Sequence, residues 1–245
     1  MLCKFYEVSG WKPLAYMGMF NFELRTGRIW VSIRVMLVDD HNMVSEVLSA
    51  LLARETDMDV VATTDNGREA VRMAKEIRPD VIVMDVAMPE LNGIEACRQI
   101  MVDNPEAGVI ILSMHEERRF VLEALKAGAR GYIQKKSAFK MLVGAIRSVA
   151  ERGGYLDPKI TGIVVSGYAQ HDNEPGDENG VILSPREREV LQMIAEGKNT
   201  KEIAYALDIS TKTVDCHRRQ VMQKLRLDNI ADLTRYAIRE GMTSL

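Results

Sequence analysis

The sequence predicts an α/β fold, a doubly wound five-stranded parallel sheet, followed by a small all-α helix-turn-helix domain. Three observations predict it. From Ile33 onward, five short β-branched runs alternate with amphipathic helical stretches. An acidic segment without core-forming residues, "HDNEPGDENG", interrupts the chain at 171–180. Four helical patterns with short joints follow it. Alternating strands and helices argue for a parallel sheet covered on both faces.

The apolar runs are IRVMLV (33–38), MDVVATT (58–64), VIVM (81–84), VIIL (109–112) and GYI (131–133). Helical patterns lie between and after them, near 42–54, 66–77, 92–103, 116–127 and 137–151. Asn66-Gly67, "RPD" at 78–80 and "DNP" at 103–105 punctuate them. Beyond the acidic segment, Ser184-Pro185-Arg186-Glu187 is a helix start, with an N-cap, Pro at the first helical position and Glu at the third. "EIAYALDIS" then "TKTVDCHRRQV" places a short helix, a tight turn near Asp208 and a longer helix in sequence. That is helix-turn-helix spacing. Val214, Val221 and Leu225 face the core; Asp215, Cys216 and Arg219 fall on another side, with Lys212 at the start. The expected division is an N-terminal extension (1–32), the α/β domain (33–152), a linker (153–182) and the helical domain (183–245). The extension holds both tryptophans and three of the five phenylalanines without a sustained period, and it reads as poorly ordered, with Val31 as an alternative start.

With 47% hydrophobic and 27% charged residues, the composition is that of a water-soluble globular protein. No 18-residue apolar run exists, so no membrane span is expected. Three scattered cysteines form neither a disulfide framework nor a zinc site, and a reducing cytoplasm fits them. Residues 181–245 carry 11 basic and 9 acidic groups, a bias too weak to indicate nucleic acid by charge alone.

The strand ends carry the chemistry. The first run ends in Asp39-Asp40, the third in Asp85, the fourth in Ser113, and Lys135 follows the fifth. In a parallel sheet these ends share one edge. Three crowded carboxylates repel one another, and a divalent cation of Mg2+ type resolves that repulsion. Lys135 adds a positive charge and Ser113 a hydroxyl, making a site for a phosphoryl group. A carboxylate held there can act as the nucleophile that accepts it. One Asp at a strand end is usually a turn former or cap. Four such ends in the right order are much harder to obtain by chance.

"VMLVDDH", "VMDVAMPELNGIEA", "VIILSMHE" and "ALKAGARGYIQKKSA" resemble the receiver domain of two-component response regulators, a flavodoxin-like fold. "LSPREREVLQMIAEGKNTKEIAYALDISTKTVDCHRRQVMQKL" resembles the LuxR-type helix-turn-helix domain. The pair, in this order, is similar to the NarL/FixJ family. The resemblance implies a regulator phosphorylated on Asp85 by a sensor histidine kinase, dimeric when phosphorylated, binding double-stranded promoter DNA and not an enzyme. Asp39, Asp40 and Asp85 would hold Mg2+ with the backbone carbonyl of Ala87. Ser113 and Lys135 would contact the phosphoryl oxygens, and Tyr132 would report the state. Pro89 and Gly93 would shape the loop after Asp85.

In the helical domain the resemblance puts the second long helix in the major groove. Lys212, Thr213, Asp215 and Cys216 would face DNA there, with Arg218, Arg219 and Lys224. Arg219 would read guanine, and Lys212 and Lys224 would meet phosphates. Asp215 stands where many relatives carry a base-contacting Lys. It would accept from cytosine or pair with Arg219 one turn on. Dimer contacts are expected on the last helix, at Ala231, Leu233, Thr234, Tyr236 and Ala237. Two other readings compete. Some phosphatases use a strand-end Asp with Mg2+, but carry a second Asp two residues on, where this chain has Ala87. A regulator controlled without phosphorylation would not need the full set of Asp39, Asp40, Ser113 and Lys135.

Overall fold

The structure, a computed structural model, describes residues 32–114, 117–136, 139–170 and 183–243. The N-terminal extension, but for Ser32, and residues 171–182 of the linker lie outside the described residues. The first half runs β1 (Ile33–Val38), α1 (Asn42–Leu52), β2 (Met58–Thr64), α2 (Gly67–Ile77), β3 (Val81–Asp85) and α3 (Gly93–Asp103). It continues with β4 (Gly108–Ser113), α4 (Arg118–Lys126), β5 (Gly131–Gln134) and α5 (Phe139–Ala150). Every strand and helix expected between 33 and 151 is present.

The sheet order is β2-β1-β3-β4-β5-β6, with all neighbours parallel. The expectation of five strands is therefore corrected to six. The sixth, β6 (Tyr155–Leu156), pairs with Gly131 and Tyr132 of β5. Two residues are too few to show a period, so the sequence could not signal it. Helix α6 (Pro158–Gln170) follows, with Pro158 at its first position and the Asp157 carboxylate accepting from the Lys159 N–H. Residues 155–170 of the stretch expected to be linker thus belong to the α/β domain's structure, and Ile160 is fully buried.

Side-chain alternation along the strands divides the core in two. Met36, Val38, Ile82, Met84, Val109, Ile111 and Tyr132 point to the face covered by α2, α3, α4 and α6. Val35, Leu37, Val81, Val83, Ile110, Leu112 and Ile133 point to the face covered by α1 and α5. Strands buried on both faces leave only their ends for polar chemistry.

The helical domain has α7 (Pro185–Ala195), α8 (Thr200–Ala206), α9 (Thr211–Leu225) and α10 (Ile230–Arg239). Ser184 and Glu187 form the expected capping box of α7, and Asn199 with Glu202 forms a second one at α8. Asp208 takes the left-handed conformation (φ 50°) in the turn between α8 and α9. Val214 and Val221 are buried, and Leu225 packs against the second of the domain's two small cores.

Candidate functional site

The carboxyl ends of β1, β3, β4 and β5 bring Asp39, Asp85, Ser113 and Lys135 to one edge. Asp85 is 3% exposed, and its Oδ2 lies 2.6 Å from Lys135 Nζ. The same ammonium lies 2.9 Å from Asp39 Oδ2. Burial pushes the Asp85 carboxyl up to about 6, against the pull of the Lys135 hydrogen bond and charge. Burial also works against the Lys135 ammonium, but its bonds to Asp85 and Asp39 hold its pKa above the ordinary lysine value.

Asp40 is more open and pairs with His41 Nδ1 at 2.7 Å. His41 Nδ1 also lies 3.3 Å from Asp39 Oδ1. Ligand atoms of Asp39, Asp40, His41 and Asp85 all fall within 4.8 Å of one another. His41 was not among the expected site residues. Its adjacency to Asp39-Asp40 was the available signal. The three converging carboxylates are hard oxygen donors of the kind Mg2+ prefers, so the residues present fit that ion. Asp40→Ala is expected to weaken Mg2+ binding about tenfold or more, measured by titration calorimetry. Unchanged affinity would remove Asp40 from the ligand set.

Ser113 is fully buried at the end of β4, and Tyr132 is fully buried on β5. Their hydroxyls share a hydrogen bond, while burial pushes the Tyr132 phenol up to about 12. Tyr132 is therefore turned inward, in contact with the residue expected to meet a phosphoryl group. Met114 beside it is 55% exposed. The loop after Asp85 carries Ala87 and Pro89 and ends on α3. A Cβ at Gly93 would lie 1.9 Å from the Asp85 carbonyl oxygen. Only glycine allows the start of α3 to pack this close, so this end of the loop and Asp85 share one backbone contact.

On α9, Lys212, Cys216 and Arg219 are exposed, and Thr213 and Asp215 are partly so. Asp215 pairs with Arg218 at 3.0 Å, three residues on, rather than with Arg219. Arg219 donates from Nε to the Asp215 backbone carbonyl at 3.3 Å. Lys224, expected to meet phosphate, is ion-paired inside the domain: its Nζ lies 2.7 Å from the buried Glu187 of α7. On α10, Leu233 and Ala237 are fully buried in the domain's own core, because the i, i+4 stripe faces α7 and α9. Ala231 is exposed and Thr234 partly so; Tyr236 packs on the core edge with Arg239 over its ring.

Both halves of the chain match known proteins. Residues 35–147 match the family described as response regulator receiver domain. Residues 181–237 match bacterial regulatory proteins of the luxR family. Transcriptional regulatory protein DegU of Brevibacillus brevis is 34% identical over 222 residues, covering 85% of this chain and 94% of the relative. The chain belongs to the NarL/FixJ family of two-component response regulators. Oxygen regulatory protein NreC of Staphylococcus carnosus (strain TM300) is 34% identical over 213 residues, covering 85% of this chain and 98% of the relative. A solved LuxR-family response regulator from Aurantimonas sp. SI85-9A1 is 36% identical, with a TM-score of 0.55 over 57% of this chain and 99% of its own. A solved RcsB–DNA complex shares the fold at 23% identity and a TM-score of 0.52, covering 84% of this chain and 98% of that one. The protein is thus a response regulator with a receiver domain and a LuxR-type DNA-binding domain. Among the described residues, no helix is long and apolar enough to cross a membrane.

Proposed function

We propose that this response regulator accepts a phosphoryl group on Asp85 from a sensor histidine kinase in the cytoplasm, dimerises when phosphorylated and binds promoter DNA. The convergence of Asp39, Asp40, Asp85, Ser113 and Lys135 on one strand edge carries the reading. Asp39, Asp40, Asp85 and the Ala87 carbonyl would hold Mg2+, which supplies positive charge to the transferring phosphoryl oxygens. An Asp85 oxygen attacks phosphorus, the P–N bond to the kinase histidine breaks, and its electron pair stays on the imidazole nitrogen. Lys135 turns from the two carboxylates to the new phosphoryl oxygens. The Ser113 hydroxyl leaves Tyr132 and donates to the same group. Each of these movements exchanges one short contact for another, so the site has two discrete arrangements that an output surface can follow.

Sedimentation of the full chain with and without acetyl phosphate and Mg2+ tests the coupling. A shift from monomer to dimer is expected, together with tighter binding to promoter DNA. A monomer in both conditions would refute the phosphorylation-linked dimer. The exposed side of α10, at Ala231 and Thr234, is the face left for pairing, since Leu233 and Ala237 are occupied inside the domain. A chromogenic phosphoester assay separates this reading from a phosphatase, whose turnover would require an acid-base group where Ala87 stands.

Asp215 has a definite expectation here. Its ion pair with Arg218 is solvent-exposed and worth about 0.2–0.5 kcal/mol. Asp215→Ala is therefore expected to leave the domain's thermal unfolding nearly unchanged and to alter base preference at one position of the binding site. Selection of binding sites from a random duplex pool would show that shift. An unchanged preference would mean that Asp215 only orients Arg218.

A further inference from the structure

Helix α7 of the DNA-binding domain docks on the loop that follows Asp85, and one side chain organises the contact. Gln192 is fully buried. Its amide nitrogen donates to the Met88 carbonyl at 2.9 Å and to Glu196 at 2.8 Å. Its amide oxygen accepts from the Asn92 N–H at 2.9 Å and from the Asn92 side chain at 3.3 Å. Between these anchors, Glu90 takes the left-handed conformation (φ 67°), which L side chains adopt reluctantly. Its N–H donates to Glu196 at 2.9 Å, and its carboxylate receives Lys198 at 3.1 Å. Residues 88, 90 and 92 are therefore each tied to the end of α7 or the turn after it.

The loop these contacts hold is not remote from the chemistry. Asp85 and Gly93 are in backbone contact, as the missing Cβ at Gly93 shows, and the Gly93 N–H donates to the Val86 carbonyl at 2.9 Å. Ala87, whose carbonyl belongs to the metal set under the reading above, sits between the acceptor and the first anchor. Asp85 is 3% exposed, so a phosphodonor meets its carboxylate only past the residues that surround it. The side chains of Val86, Met88 and Leu91, almost fully buried, fix the rest of the loop to the receiver.

We propose that Gln192 is a positioning residue for phosphoryl acceptance, through which the docked DNA-binding domain brakes the reaction at Asp85 by pinning residues 88–92. This rests on Asp85 being the acceptor. A buried amide that uses both ends on the partner surface is costly to leave unmatched, so the loop is either clamped by Gln192 or the domains part. Linkage makes the coupling reciprocal: whatever docking subtracts from acceptance, acceptance subtracts from docking. The exposed face of α9, with Lys212, Cys216 and Arg219, is not what this contact withholds.

The test uses the full chain with Mg2+ and acetyl phosphate, following phosphoryl uptake on Phos-tag gels. Gln192→Met keeps the length and removes all four hydrogen bonds; Lys198→Met removes the ion pair with the Glu90 carboxylate, leaving the Glu90 N–H on Glu196, without touching α7's core. Both are expected to raise the uptake rate constant by about fivefold. Gln192→Glu, which can still accept from Asn92 but not donate to Met88, is expected to fall between wild type and Gln192→Met. Hydrogen exchange at residues 88–93 is expected to speed up in both Met variants before any phosphoryl group is added. A merely structural role would lower the unfolding temperature and leave the rate constant alone. Unchanged or slower uptake in both Met variants, with wild type labelled normally, overturns the brake. Wild type that takes up no phosphoryl, or label that survives Asp85→Asn, overturns the assignment of Asp85 and the brake with it.

Discussion

Asp85→Asn is expected to abolish phosphoryl uptake while giving a protein more stable than wild type near neutral pH. The loss follows from chemistry: an amide of nearly the same shape cannot attack phosphorus as a carboxylate does. The gain follows from burial. The Asp85 carboxyl titrates near 6 in the fold, above the ordinary 3.8, because desolvation outweighs the attraction of Lys135. A folded pKa raised in this way contributes stability that is fully present below the unfolded value and lost as pH rises through about 6. At about pH 7 and without Mg2+, the wild type holds a buried charge that Asn lacks. The expected difference is about 1–3 kcal/mol in favour of Asn, disappearing as pH falls below about 4. Lys135 keeps Asp39 as its partner, so the variant leaves no unpaired ammonium. Urea unfolding of both proteins at the two pH values measures it. A less stable Asn variant at neutral pH would mean that the Lys135 pair, not desolvation, dominates the site. Phosphoryl uptake at the wild-type rate would mean that another residue is the acceptor.

The fold was legible because the two faces of a parallel sheet demand unbroken apolar runs. Val81–Met84 and Val109–Leu112 can be little else when turn signals bound them and amphipathic stretches follow. The site was legible for a related reason. With strand sides consumed by the two cores, Asp39, Asp85, Ser113 and Lys135 had nowhere to be but the strand ends. What escaped the sequence is what depends on packing between elements. Strand β6 has two residues and no period, and its partner, Tyr132, is known only once the sheet is assembled. Lys224 has the charge and place of a phosphate contact, yet a buried Glu187 from a helix 37 residues earlier takes its ammonium. Leu233 and Ala237 share a helix with Ala231 and Thr234, and only the position of α7 decides which side is inward. Gln192 is a lone amide between the apolar pairs Val190-Leu191 and Met193-Ile194, and nothing in those neighbours announces that a loop 100 residues upstream occupies both ends of it.

Arg219→Ala is expected to weaken binding to the promoter site by about 1–3 kcal/mol and to relax preference at one base pair, with a much smaller loss on a scrambled duplex. Arg219 is exposed on the same side of α9 as Cys216, and its bond to the Asp215 carbonyl uses only Nε. The two terminal guanidinium nitrogens, the fork that matches guanine O6 and N7, take no part in that bond. Arg218 differs, since its guanidinium lies 3.0 Å from the Asp215 carboxylate. Lys212, exposed near the amino end of α9, is the contrasting case. Removing it should weaken binding to all duplexes alike and lower the slope of log affinity against log salt by about one unit. Lys224→Ala should do neither on its own account. Its ammonium stabilises Glu187 at the start of α7, so its removal is expected to lower the domain's unfolding temperature and to leave the salt slope near that of the wild type. Fluorescence anisotropy titrations of the three variants on promoter and scrambled duplexes, at several salt concentrations, separate these roles. Equal losses on both duplexes for Arg219→Ala would make Arg219 a phosphate contact, and base reading would then fall to Asp215 with Arg218.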